Sequence, residues 1–170
     1  SQGLTVDLYA IPRAGGAARQ LTYAPTWEWR AQAGRRPGEV VYLVHDSDVV
    51  DNSYVAYLDL ATGVSTPAVR GLIWDATVMG DDLYFSPEAN SGIRVLRGTS
   101  DREFAHALRD SAFFLVSGSP KRDRLAATAQ DRNGGITYPC LLALDGTAEC
   151  LTTEITTRPI ERFNRQSNWD

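Results

Sequence analysis

With 170 residues, 43% of them hydrophobic and 22% charged, the chain has the makings of one globular domain long enough to bury a proper core. Its net charge of −4 offers no electrostatic footprint for nucleic acid or an anionic membrane, and no apolar run approaches the length of a membrane-crossing helix. The opening SQGL lacks both an initiator methionine and a signal peptide, so it reads as a processed terminus, an expression remnant or a cut from a longer chain.

Strand signals dominate from the start. Val6–Tyr23, VDLYAIPRAGGAARQLTY, alternates apolar and polar residues into a glycine pair and then begins a second short alternating run. That pattern predicts a β-hairpin whose return strand is clipped. TWEWR follows, and alternation along a strand puts Trp27 and Trp29 on one face. The runs EVVYLVHD, SYVAYLDL, DLYFS, GIRVL, AFFLVSG, RLAATA and ITYPCLLAL come next, separated by Gly, Asp, Asn and Pro. Within AFFLVSG, Phe113 and Phe114 point to opposite faces and read as core. SDREFAHALRD, residues 100–110, has a plausible helix cap in Ser100 and apolar residues Phe104, Ala107 and Leu108 on one helical face. It is too short to stand alone as a helix, and an edge strand is the preferred reading.

Cys140 and Cys150 flank LLALDGTAE. If Leu144, Asp145 and Gly146 form a three-residue hairpin loop, Ala143 faces Thr147 and the two cysteines face each other in a non-hydrogen-bonded pair. Such pairs hold their Cα atoms roughly 4.5 Å apart, at the short end of disulfide geometry. A two-residue turn would instead put the cysteines on opposite faces. A disulfide and two buried thiols are therefore both open, and the disulfide would imply an oxidising compartment.

Val41-Tyr42-Leu43, Leu83-Tyr84-Phe85 and Leu125-Ala126-Ala127 recur at intervals of 42 residues, each after a short polar turn. Gly16, Gly63 and Gly146 mark comparable hairpins, 47 and 83 residues apart, and Trp27, Trp74 and Trp169 fall near one phase. A period of that length with about four strands per unit is the mark of β-propeller blades. The expected fold is all-β, built from four-stranded antiparallel blades. Its approximate units are 1–26, 27–73, 74–117 and 118–168, about 3.5 to 4 blades of a propeller that is incomplete or closes on itself.

SPKRDRLAA, Ser119–Ala127, resembles the TolB-type propeller repeat, usually Trp-Ser-Pro-Asp-Gly-Lys-x-Ile-Ala-Phe, with the tryptophan absent and Asp-Gly degenerate. DLYAIPRAGGAARQLT and VAYLDLATG resemble the second half of the same repeat, and Arg19-Gln20-Leu21-Thr22 matches its Arg-x-Leu-Thr ending. Cys150-Leu151-Thr152 matches that ending in part, and QSNWD resembles the start of a further repeat. The resemblance implies a non-enzymatic scaffold that binds a protein or peptide. A second family carries similar degenerate repeats, and it implies the propeller portion of a prolyl-oligopeptidase-like serine peptidase whose catalytic domain lies elsewhere. A carbohydrate-binding propeller is a third option, for which the tryptophan pair is the only hint. TolB-like propellers also commonly have more blades than this chain supplies. The resemblance therefore implies completion by absent sequence or by another copy, with a closed four-bladed form as the remaining option. The setting expected is periplasmic or secreted if the disulfide forms, with a cytoplasmic one as the alternative.

No Gly-x-Ser-x-Gly elbow is present, and only His45 and His106 could act as bases. His45 stands beside Asp46, which permits a dyad, although a cap or surface role is the simpler reading. Two histidines and two hairpin cysteines do not make a zinc pattern, and no cofactor is expected. The loop HDSDVVDNS holds Asp46, Asp48 and Asp51 but lacks the alternation, turn glycine and terminal glutamate of a calcium loop. It reads first as a solvated connection, and DRNGG, 131–135, reads as a turn. The best binding candidates are Trp27, Trp29 and Arg30, joined by Asp46, Asp48 and Asp51. Packing between blades is the other role open to the two indoles.

Overall fold

In the computed structural model, the residues described are 5–45, 53–87, 92–105, 111–119, 121, 123–131, 137–145, 147–151 and 162–165. Among them there is no helix, and the strands form four antiparallel sheets. The chain divides into two compact units, Ser1–Ile73 and Trp74–Asp170.

The first unit opens with the expected hairpin. Strands β1 (Tyr9–Ala10) and β2 (Arg19–Gln20) pair Tyr9 with Gln20 and Ala10 with Arg19. The return strand is as short as its sequence suggested. Gly15 and Gly16, at φ of 84° and 127°, carry the loop through backbone space that L-residues avoid. Next comes a four-stranded meander in chain order: β3 (Trp27–Ala33), β4 (Glu39–His45), β5 (Tyr54–Asp59) and β6 (Ser65–Arg70). The runs that form β4 and β5 are almost continuously apolar because both of their faces are buried. Val41, Leu43 and Val55 lie on one face. On the other, Tyr42, Val44, Ala56 and Leu58 share a core with Leu8 and Leu21, so the hairpin segment covers that face. The β5–β6 turn is set by Asp59, whose Oδ1 accepts from the amides of Ala61 and Thr62 at 2.9 and 3.0 Å.

The second unit holds two further meanders. One comprises β7 (Ile73–Met79), β8 (Asp82–Pro87), β9 (Ile93–Arg97) and β10 (Ser100–Ala105). The other comprises β11 (Ser111–Gly118), β12 (Arg124–Asp131), β13 (Thr137–Ala143), β14 (Ala148–Leu151) and β15 (Arg162–Arg165). Segment 100–105 is an edge strand, as its sequence suggested, with a bulge between Glu103 and Ala105. The sheets begin at Trp27, Ile73 and Ser111, against expected units beginning at 27, 74 and 118. The three motifs spaced 42 residues apart fall in β4, β8 and β12, the second strand of each sheet.

Met79, Tyr84, Ile93 and Val95 of the first meander form one core with Leu125, Ala127, Ala129, Cys140, Leu142, Ala148 and Cys150 of the second. Phe104 joins it, standing edge-on to Tyr84 at 5.0 Å between ring centres. The first strands of the two meanders meet where the Gly118 amide donates to Thr77 Oγ1 at 3.1 Å. A Cβ on Gly118 would lie 2.6 Å from Met79 Cγ, so this position needs glycine for close approach, not for its φ.

Cys140 faces Cys150, and the Ala143 amide donates to the Thr147 carbonyl at 2.8 Å, as the three-residue loop requires. The two cysteines are joined in a disulfide with Cα atoms 4.0 Å apart, buried in the shared core. Phe113 and Phe114 lie in β11 opposite Ala129 and Thr128, and their side chains are outside the described residues.

Candidate functional site

β3 is an edge strand of its sheet, and it carries the exposed aromatic pair. Trp27 and Trp29 are 41% and 42% exposed, whereas Glu28 between them is buried. Alternation therefore turns both indoles to one side and the carboxylate to the other. Trp27 lies opposite His45, with ring centres 6.1 Å apart, and Trp29 lies opposite Leu43.

Beyond Trp29 the register jumps, so that Gln32 pairs with Val41. Three steps along β3 match two along β4, which makes a bulge of one extra residue. Arg30 sits in it at φ of 57°, the one described residue other than glycine with positive φ. Such a conformation costs of order 1 kcal/mol and persists only where its surroundings enforce it. Here it brings the guanidinium over the Trp29 ring, 5.5 Å from its centre. Cation–π contact at an exposed site returns about 0.5–1 kcal/mol. The bulge therefore presents two aromatic faces and a positive charge side by side on a sheet edge. Such a surface can take a planar apolar group together with an anionic or carbonyl-bearing one.

The strand's other edge is engaged next to Trp27. Val6 bridges to Trp27 in parallel, with the Glu28 amide donating to the Val6 carbonyl at 2.8 Å. Burial is the main cause that raises the Glu28 carboxyl above the usual carboxylate range; the Asp7 charge adds to this, and the Thr22 and Thr26 hydroxyls oppose it.

The remaining sequence candidates fall differently. Asp46, Asp48 and Asp51 lie outside the described residues, as do His106 and residues 132–135 of DRNGG. His45 is bonded through Nδ1 to Ser53 Oγ at 2.9 Å. Ser53 is buried, so its hydroxyl is shielded from a reacting carbonyl, and the bond joins the two ends of segment 46–52. Sequence reasoning missed this pair and also missed buried Glu28. The signal for Glu28 was available in WEW, since two outward tryptophans force the residue between them inward.

The second unit has an open groove of about 500 Å³, lined in part by Met79, Tyr84, Arg97 and Leu144. Its main charges are already spent on each other, because Arg97 makes a two-pronged ion pair with Asp82 and holds that carboxyl below its usual range. Among the described residues no group of three or more His, Cys, Asp or Glu could hold a metal ion.

No family model matches the chain, and no curated protein matches it. The sheets and the aromatic bulge therefore have to speak for themselves. Over the described residues they define an all-β protein of successive antiparallel meanders.

Proposed function

We propose that the chain is a run of TolB-like propeller blades that acts as a non-enzymatic scaffold, binding a protein or peptide through Trp27, Trp29 and Arg30. The observation that carries the reading is the pair of part-exposed indoles on an edge strand, with a strained arginine stacked beside them. Tryptophan and arginine are among the residues most enriched where binding energy concentrates.

The blade reading draws support from each scale. The 42-residue repeat falls on the second strand of three sheets. β4, β5 and β8 are buried on both faces, as stacking demands, whereas β12 and β13 bury one face and expose Ala126 and Leu141 on the other. In this reading β1 and β2 are the last two strands of a preceding blade, packed on the face of the next. The Cys140–Cys150 disulfide supports a periplasmic or secreted setting.

Selection from a displayed library of random peptides tests the proposal. Wild-type protein is expected to enrich a consensus containing aromatic and acidic residues. Trp27→Ala and Trp29→Ala together should weaken binding of the selected peptides by roughly a hundredfold, as loss of a binding hot spot of about 3 kcal/mol would. Undiminished binding by the double variant would refute the assigned face. Enrichment on a glycan array with no peptide consensus would replace the peptide reading with a carbohydrate one.

A further inference from the structure

The inward side of β3 holds polar atoms that the aromatic face does not use. The Val6–Trp27 bridge sets Asp7 beside Glu28 and Thr26, on the side away from the Trp27 indole. Asp7 Oδ2 accepts from Gln20 Nε2 at 2.9 Å, and the same Nε2 donates to the Thr22 carbonyl. Thr22 Oγ1 is also engaged, accepting from the Leu8 amide at 2.9 Å. Three buried oxygens are left without a hydrogen-bond partner: Asp7 Oδ1, Thr26 Oγ1 and Glu28 Oε2. Glu28 is only 3% exposed, so its carboxylate is withdrawn from bulk solvent.

The electrostatics sharpen the difficulty. Asp7 is the one charged group among those acting on Glu28, and it has the same sign. Asp7 and Glu28 are neighbouring carboxylates that each keep one buried oxygen unpaired, and with the Thr26 hydroxyl beside Glu28 they form an environment that a positive charge would complete.

We infer that Asp7, Thr26 and Glu28 form a binding site for a hard divalent cation of the calcium class. The donor set contains only oxygen, which disfavours zinc and copper. Two carboxylates balance a double positive charge, which favours a divalent over a monovalent ion. Calcium tolerates irregular shells completed by backbone carbonyls and water, whereas magnesium demands a near-regular octahedron. A bound ion would fasten the segment before β1 to β3, directly behind the tryptophans. The inference does not depend on what those tryptophans bind.

The full chain, stripped with a chelator and dialysed, is titrated with calcium in a calorimeter. One site per chain is expected, and Asp7→Asn or Glu28→Gln should each weaken it by roughly tenfold or more. Replacing Asp46, Asp48 and Asp51 together with Asn should leave it intact. Terbium provides a second readout that needs no variant: bound behind Trp27, it should luminesce on tryptophan excitation and be displaced by calcium. Absence of both heat and sensitised emission at millimolar ion would overturn the site, as would binding that survives in both variants. Stabilisation of the stripped protein by mild acid, with calcium inert, would also overturn it, showing a proton shared by the two carboxyls instead.

Discussion

Glu39 shows how one buried charge can be secured by local sequence. It follows the turn 34–38, and its carboxylate accepts from the Arg35 amide at 2.9 Å and from the Arg35 guanidinium at 3.0 and 2.9 Å. Arg36 approaches to 3.6 Å, and the Arg35 guanidinium also stacks on Tyr57, 3.8 Å from the ring centre. Burial pushes that phenol up to about 12, with Arg35 opposing it. The Arg35 side chain is chiefly what holds Glu39 below the usual carboxylate range, against the cost of burial. A depressed pKa adds stability above the unfolded value, about 4.3, and that stability is lost as pH falls through the folded value. Glu39→Gln should therefore cost about 2 kcal/mol at neutral pH, less than a fully buried pair because Arg35 is partly exposed. It should also flatten the acid limb of a stability profile measured by urea denaturation. A variant with wild-type stability and an unchanged acid limb would contradict this. Gly34 belongs to the same arrangement, since a Cβ there would lie 2.7 Å from Glu39 Cγ.

Between elements, the disulfide rests on hairpin arithmetic. One residue fewer in the loop would have turned Cys150 to the opposite face from Cys140, so the pairing follows from the connection more than from the cysteines. It closes a short span, 10 residues apart in sequence, and loop entropy alone gives about 2–3 kcal/mol. Reductant should lower the unfolding free energy of the second unit by that amount, and both thiols should resist alkylation until it is added. Alkylation of the folded, unreduced protein would contradict the bond. This register was legible because the count from Asp145 outward left only two outcomes. The second strands were legible too, because β4, β8 and β12 carry compact apolar runs at a constant spacing. First strands were harder: β7 buries Asp75 and Thr77, which interrupt its apolar run, and the first strands are unevenly spaced, β7 starting 46 residues after β3 and β11 only 38 after β7. β15 had no signal at all, since RFNR lacks an apolar alternation and acquires its strand role by pairing with β14.

For the molecule as a whole, the repeat describes how the chain is built but not what it meets. Antiparallel meanders with buried central strands can be read from periodicity, because burial imposes a pattern on each of those strands. The proposed binding face is singular, and its only trace in the sequence is the alternation of WEWR. What the sequence could not carry was the bulge that puts Arg30 over Trp29, since that depends on register against β4. As proposed, this face is a binding site and not merely exposed surface. Trp74 supplies the control, because it is 42% exposed, as Trp29 is. The direct measurement is a 15N correlation spectrum of the tryptophan indole N–H groups, recorded while a library-selected peptide is added. The Trp27 and Trp29 signals should shift together and saturate with the peptide while Trp74 stays in place. Movement of Trp74 with Trp27 and Trp29 unmoved would contradict it.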